Sequence, residues 1–538
     1  MPVFNVKDFG AKGDGIASDT AAVTKTISAC AEGGGGTVYF PAGRYSVGTV
    51  QLKSHIRLYL DAGAALVGSH NIQEYLPSPP FGFARHYGVD ITGEGAVLGM
   101  LIAKDATDIT LEGDGEIDGQ SDSFMSPRTS HGGNDYDAQY VRNPEAFQAA
   151  MSTLEYGPIE PADRPGTMIV FYHCKNVHIH GITLRKAPNW TLHLQDVEDA
   201  TLSGFQILND PKVPNNDGID CMLCRHVQIS DCHIDAGDDG LAIVASEHVN
   251  VANCSLSSRS AAIRLESTQR STFSGLTMDT NRGIAIFANG YLGQKDRPTE
   301  DVLFSNIVIR THLIPGGWWG KAEPIYIAVQ PCDASAPCEP RVRKVTFSNI
   351  TAEAENGILF WGAPETPITG VELNGIRLHM VSPDPDLADS IGGNLDLRWT
   401  AIVPRDGIIK SDIPALYGKH VDGLRIRDMQ IDWANTMPDY FTDGLRLEEF
   451  KDLTVDDFTG RQGATRNSAA IALKNGSGVA ITNSRALSGT STFLALDHVS
   501  DRRVFVNYDL SAATSAIKPA GKRFQTQIVA PAPRQKTP

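Results

Sequence analysis

Three aspartates occur in a pattern suited to acid–base chemistry. Asp217 lies in Asn215-Asn216-Asp217-Gly218-Ile219-Asp220, and Asp238 and Asp239 lie in Gly237-Asp238-Asp239-Gly240. Taken alone, acidic clusters read as solvated turns. Carboxylates brought close together, however, cannot all ionise independently. Repulsion raises at least one pKa and leaves a proton donor beside a base near neutral pH. Cleavage of a glycosidic bond uses such a pair.

The elements that would gather these residues form a repeat. From about Ile109 onward one phrase recurs: apolar-x-apolar-x-(Gly/Asn/Cys)-x-apolar. Copies begin at Val177, Ala200, Val227, Val249, Val302, Val345 and Val371, and later at Leu424, Leu453 and Val479. The early steps are 23, 27 and 22 residues. Alternation with period two marks strands. One such strand per turn-bounded repeat, with little helical pattern, predicts a parallel β-solenoid. A β-sandwich is the rival, but hairpin turn signals between phrases are sparse.

A solenoid permits position arithmetic. Asp217 precedes Val227 by ten residues, and Asp239 precedes Val249 by ten. The two should stack on adjacent coils, ~4.8 Å apart. The same column runs through Trp190 below, then Ala261, Arg282, Glu323 and Asn356 above. Alternation turns Ile219, Leu241, Ile263 and Ile284 inward. It turns Asp220, Arg264 and Glu266 outward, with His193 and Gln195 one coil below the acids. The result is a polar groove on a rigid sheet, the kind of support that holds a site accurately. The rival reading is an Asp or Asn ladder that only stabilises the coils.

Composition bounds the partners. The 538 residues carry a net charge of −16 and no basic stripe, which argues against nucleic acid and anionic membranes. No apolar run approaches the ~20 residues of a membrane span. The start of the chain lacks a leader pattern, so a cytoplasmic place is expected, or a secreted or periplasmic one if a leader was removed. The eight cysteines are scattered. Cys332 and Cys338 share a Pro-rich loop and could pair under oxidising conditions. Cys221-x-x-Cys224 is half of a zinc pattern without its other half. No metal and no cofactor are expected.

Length alone would suggest several domains, but a solenoid makes one domain over 1–511. Val23, Ile27 and Cys30 predict a short amphipathic helix after Asp19 and Thr20, which offer N-cap chemistry. That helix would cap the open end. Gly33–Gly36 lacks the Gly-Lys-Ser/Thr of a phosphate loop and reads as a turn. Strands are expected at Thr37–Phe40, Ile56–Leu60 and Ala65–Gly68. Insertions are expected at 119–166, 287–322 and 379–420, and an irregular tail over 512–538. Trp318 and Trp319, in the second insertion, would either stack on a sugar ring or pack the base of their loop.

The two acidic motifs resemble the first two signatures of glycoside hydrolase family 28, the polygalacturonase family. The opening is similar too: Phe4-Asn5-Val6 to Gly15, Gly35-Gly36-Thr37-Val38 and Phe40-Pro41-Ala42-Gly43-Arg44-Tyr45. So is Ala187-Pro188-Asn189-Trp190. This opening is shared by a broader superfamily of pectin-degrading β-helices. The resemblance runs from residue 4 to about 360 and, more weakly, to about 490. It implies a right-handed parallel β-helix and hydrolysis with inversion on a pectic or related saccharide. It also implies that Asp238 protonates the leaving oxygen, that Asp217 and Asp239 hold and deprotonate the attacking water, and that Asn215 orients sugar or acid. Two signatures are missing. The Gly-His-Gly position reads Ser260-Ala261-Ala262, and nothing matches Arg-Ile-Lys, which reads the uronate carboxylate in polygalacturonases. The nearest stretch is Asn281-Arg282-Gly283-Ile284-Ala285. Arg264, Glu266, Arg282 and Lys321 could rebuild a carboxylate site, although Glu266 and Glu323 would repel a uronate. A neutral sugar or a branched pectic oligosaccharide is therefore an open alternative.

Two rivals use the same scaffold. A polysaccharide lyase would bind calcium at the aspartates and use Arg264 or Arg282 as base. A non-catalytic carbohydrate-binding solenoid would leave the acids as spectators. The oligomeric state, the linkage and the choice of endo or exo action are not legible from the residues. The long insertions would favour exo action by walling one end of the groove.

Overall fold

The structure is a computed structural model, and it describes residues 2–77, 97–129, 138–288, 297–329, 341–398, 407–463, 468–520 and 528–529. The chain winds as a right-handed parallel β-helix. One coil shows the unit: Glu198–Ser203, Gln206–Leu208 and Ile219–Met222. Each strand pairs in parallel with its counterpart one coil on. Stacked coils thus form three long sheets around a narrow apolar interior.

The repeated phrase explains the winding. Its aliphatic positions, such as Val177, Ile179, Val227 and Ile229, are fully buried. Its Gly/Asn/Asp position takes the left-handed backbone that turns the chain to the next sheet. Gly181, Gly204, Asp231, Asn253, Asn306, Asn349 and Gly375 all have φ between 53° and 78°. Glycine has no Cβ to clash there, and Asn and Asp tolerate it best of the rest. Asn349 Nδ2 also donates to Asn306 Oδ1 on the coil below at 2.7 Å. Inside, Phe273, Phe304 and Phe347 stack with centroids 4.8 and 5.1 Å apart. These are the strand spacing printed in aromatic rings.

The capping helix forms over Thr20–Glu32 and buries Val23, Ile27 and Cys30. Asp19 does not cap it through its side chain. Its carboxylate instead accepts from the backbone of Lys12 and Gly13 at 2.7 and 3.0 Å, holding the preceding turn. Thr20 accepts from Gly48 N at 3.0 Å.

Two expectations need adjusting. The segment 287–322 is not one insertion, because Thr299–Thr311 is a regular ladder strand between Gln269–Ala288 and Val342–Ala354. The stretch after 511 is not irregular throughout, since Ala513–Ala520 pairs with Thr490–Asp497. Cys221 and Cys224 are buried among the core side chains, where they behave as small apolar groups. Cys332 and Cys338 lie outside the described residues. Among the described residues no helix is long and apolar enough to cross a membrane.

Candidate active site

The site lies on one sheet of the helix, built from Leu192–Gln195, Ile219–Met222, Leu241–Val244 and the ends of Ser255–Glu266 and Gln269–Ala288. Ile219 pairs with Leu241, Leu241 with Ile263, and Ile263 with Ile284. All four are buried in the interior. Counting back two residues puts Asp217 beside Asp239, Asp239 beside Ala261, and Ala261 beside Arg282. The backbone bonds Gly218 N to Asp239 O at 2.9 Å and Gly240 N to Ala261 O at 2.9 Å fix this register.

Glycine is required at two places. A Cβ on Gly218 would lie 2.4 Å from Gly240 O, and one on Gly237 would lie 2.3 Å from Val213 O. The two motif turns are pinned to each other by Asn216. Its Oδ1 accepts from Gly237 N at 2.5 Å, and its Nδ2 donates to Asp210 O at 2.8 Å. Asn215 sits at φ 56° and donates from Nδ2 to Asp238 Oδ2 at 3.3 Å. Ala261 N donates to Asp239 Oδ1 at 3.3 Å.

Oxygens of Asp217, Asp238 and Asp239 lie within 4.8 Å of one another. Asp217 and Asp239 are buried and Asp238 is half-buried. Asp220, on the next outward position, is 1% exposed. Burial, followed by the charge of neighbouring aspartates, pushes Asp217 and Asp220 well above the usual carboxylate range. The same causes push Asp239 up to about 7. Burial also raises Asp238, against hydrogen bonds and the Arg264 charge. Arg264 partly offsets the crowding, with Nε 3.9 Å from Asp239 and Nη2 3.5 Å from Glu266. Its neighbours above and below in register are Ala242 and Ala285, which leave room for the guanidinium. The cluster therefore titrates as a unit that keeps protons toward neutral pH.

His193 pairs in register with Asp220 and stacks on Trp190, with centroids 5.3 Å apart and planes 4° apart. Burial pushes its imidazole down to about 4, so it is neutral at pH 7. Asn215, His193, Asp220, Arg264 and Glu266 are thus gathered around the three aspartates.

Arg282, Lys321, Glu323 and Trp318 are not part of that opening. Arg282 and Glu323 share the sheet face but are covered by the segment around 318–322, which carries Trp318 and Lys321, and by that around 394–398. Arg282 donates to Glu323 Oε2 and Oε1 at 3.1 and 3.2 Å and to Asp396 Oδ2 at 3.0 Å. Its guanidinium lies 3.8 Å over the Tyr326 ring. Arg398 closes the network on Asp396 at 2.7 Å. Lys321 is buried against it and pushed down to about 8, chiefly by burial. Trp318 donates from Nε1 to Tyr156 O at 3.0 Å, packing its loop. Trp319 lies under Arg398, 3.9 Å from ring centroid to guanidinium carbon. A buried arginine already held by two carboxylates cannot also read a substrate carboxylate, which corrects the expectation for Arg282 and its neighbours.

Two positioning residues escaped the sequence reading. Arg164, from the first insertion, donates to Pro188 O and Pro214 O, both at 2.8 Å, and to Asn215 Oδ1 at 3.1 Å. No spacing ties it to the motif. Asn209 donates to Thr191 Oγ1 at 2.7 Å and to Asn216 O at 3.0 Å. Its signal was available, since an Asn inside a repeat step has few solvated uses.

Comparison with known proteins places the chain. A "Probable polygalacturonase" of Vitis vinifera is 25% identical over 408 residues, covering 70% of this chain and 74% of that protein. The fold resembles a family 28 exopolygalacturonase of Yersinia enterocolitica (TM-score 0.59, 17% identity, 84% of this chain and 78% of that one). It also resembles an exopolygalacturonase of Thermotoga maritima (TM-score 0.54, 19% identity, 70% and 87%). Residues 3–286, which contain all three aspartates, match the family described as Rhamnogalacturonase A/epimerase, pectate lyase-like. The chain belongs to that family.

Proposed function

We propose that the chain is an inverting glycoside hydrolase that cleaves a pectic or related poly- or oligosaccharide without a metal. The observation that carries this reading is the convergence of Asp217, Asp238 and Asp239 within 4.8 Å, in surroundings that keep protons toward neutral pH. Asp238, the most accessible of the three, protonates the glycosidic oxygen as its bond to the anomeric carbon breaks. Asp217 and Asp239, stacked on adjacent coils, orient a water. The water oxygen bonds to the anomeric carbon, and its proton passes to the member of that pair that is ionised. The amide of Asn215 steadies Asp238. The polygalacturonase relatives support a pectic substrate.

The spacing supports a second reading. Inverting carboxyl pairs usually stand roughly 6.5–9.5 Å apart and retaining pairs about 5–5.5 Å. In the trio, one oxygen from each carboxylate lies within 4.8 Å of the others, which is nearer the retaining spacing. Retention needs only two carboxylates, whereas a water held by the Asp217–Asp239 pair needs a third as acid, and for that reason inversion is preferred. The trio is also the one convergent group of potential metal ligands among the described residues. Calcium takes 6–8 oxygens, far more than three side chains supply alone.

A panel of pectic and neutral oligosaccharides tests the reading, with reducing ends and unsaturated-uronide absorbance followed together. Reducing ends without absorbance, unaffected by chelator, are expected. Absorbance that rises and needs calcium would replace the hydrolase with a lyase.

A further inference from the structure

The first insertion reaches the aspartates through one side chain. Arg164 is half-buried, and its guanidinium spans two coils. Nη1 donates to Pro188 O on one coil and to Pro214 O on the next, both at 2.8 Å. Nη2 donates to Asn215 Oδ1 at 3.1 Å. One rigid fork therefore holds both the peptide before Asn215 and the Asn215 side chain. That side chain is exposed, and an exposed amide left to itself turns readily about its last bond.

The fork also decides which end of the amide faces Asp238. An asparagine side chain carries an acceptor oxygen and a donor nitrogen of nearly equal shape, and either can be presented to a carboxyl group. A guanidinium only donates, so it takes the oxygen. The nitrogen is left for the acid, and Nδ2 donates to Asp238 Oδ2 at 3.3 Å. Hydrogen bonds from the Asn215 backbone and side chain oppose the effect of burial on Asp238.

We propose that Arg164 is a positioning residue for acid catalysis, setting the Asn215 amide so that it donates to Asp238 as that group gives up its proton. The proposal rests on the reading of Asp238 as the acid. When the proton moves to the glycosidic oxygen, Asp238 becomes charged, and a hydrogen bond to a charged acceptor is about twice as strong as a neutral one. The bond from Asn215 is thus stronger in the transition state than before it, which raises kcat rather than substrate affinity. An amide turned the other way would present its oxygen to the developing charge and oppose the transfer.

Initial rates of the full chain on a galacturonate trisaccharide test this with Arg164→Met, Asn215→Ala and the double variant. Each single change should lower kcat about 10-fold with KM within about 2-fold, and the double should be no slower than Asn215→Ala. Losses that multiply, or an effect on KM alone, would overturn the proposal. Asn215→Asp separates this role from a mere clamp on the loop, because a carboxylate keeps the Arg164 contact but offers Asp238 no donor. Its melting temperature should hold while kcat falls at least about 10-fold, and full activity would overturn the proposal. A further readout needs no turnover. In chain carrying isotope-labelled asparagine, the side-chain amide signal that Asn215→Ala removes should shift and exchange its protons faster in Arg164→Met. An unmoved signal would overturn the proposal. Normal cleavage by Asp238→Asn would fail the hydrolase reading, whereas an inactive Asp238→Asn beside losses that multiply would fail this proposal alone.

Discussion

Two stretches of one sheet face treat buried charge in opposite ways. Around Asp217, Asp238 and Asp239, like charges are gathered, and Arg264, with a weaker contribution from Arg282, only partly answers them. A few coils on, Arg282, Glu323, Asp396 and Arg398 are matched and hydrogen-bonded. Asp239 and Asp396 are both buried, at 7% and 0% exposure. Burial raises both carboxyls. For Asp239 the neighbouring Asp238 adds to the rise, to about 7. For Asp396 the charges of Arg398 and Arg282 outweigh burial and hold it well below the usual range. The neighbours rather than the depth decide which cluster holds its protons and which stays charged.

The contrast breaks most sharply at Asp238. Asp238→Asn removes the proposed acid and should lower kcat by about 10²–10⁴-fold on a natural leaving group, read as reducing ends formed. The fold should survive, because an amide replaces one uncompensated charge. On the structural side, Arg282→Met strips the cation from Glu323 and Asp396. A loss of about 3–5 kcal/mol is expected in denaturant unfolding. A neutral result would show that the network is not what holds the covered end of the face.

Asp239→Asn separates function from stability. The raised Asp239 pKa means that folded chain keeps this proton from about pH 4 to about 7, while unfolded chain has lost it. The stability it contributes is complete at low pH and is lost as pH rises through 7. The variant should be inactive, lose part of the decline in stability between about pH 4 and about 7, and melt at least about 1 °C higher at pH 8. Melting curves across pH check this, and an unchanged slope would contradict it. Arg264→Gln is subtler. Without its charge the aspartates should hold protons more tightly and move the acidic limb of the pH–rate profile up by roughly one unit. The smallest effect is expected at a corner: Asn349→Ala keeps φ near 53° without a tolerant side chain and should cost about 1–2 kcal/mol.

The period-two phrase and the Gly/Asn/Asp corners were enough to read the coils from the sequence. Equal offsets then fixed which residues stack, as the pairings of Asp217 with Asp239 and Ala261 with Arg282 bear out. What the repeat could not show is how inserted segments fold back. Asp396 lies 114 residues from Arg282, yet caps its guanidinium. Without that contact Arg282, Lys321 and Glu323 looked like groove residues. Arg164 was invisible for the same reason, since it reaches the site from an irregular segment.

The central claim is that the three aspartates break a glycosidic bond by direct attack of water. Proton NMR of a pectic oligosaccharide during digestion, with wild type beside Asp238→Asn, tests it most directly. The first-formed reducing sugar should carry the inverted anomer, with no vinylic signal and no product from the variant. A retained anomer, a vinylic signal, or full product from Asp238→Asn would contradict it.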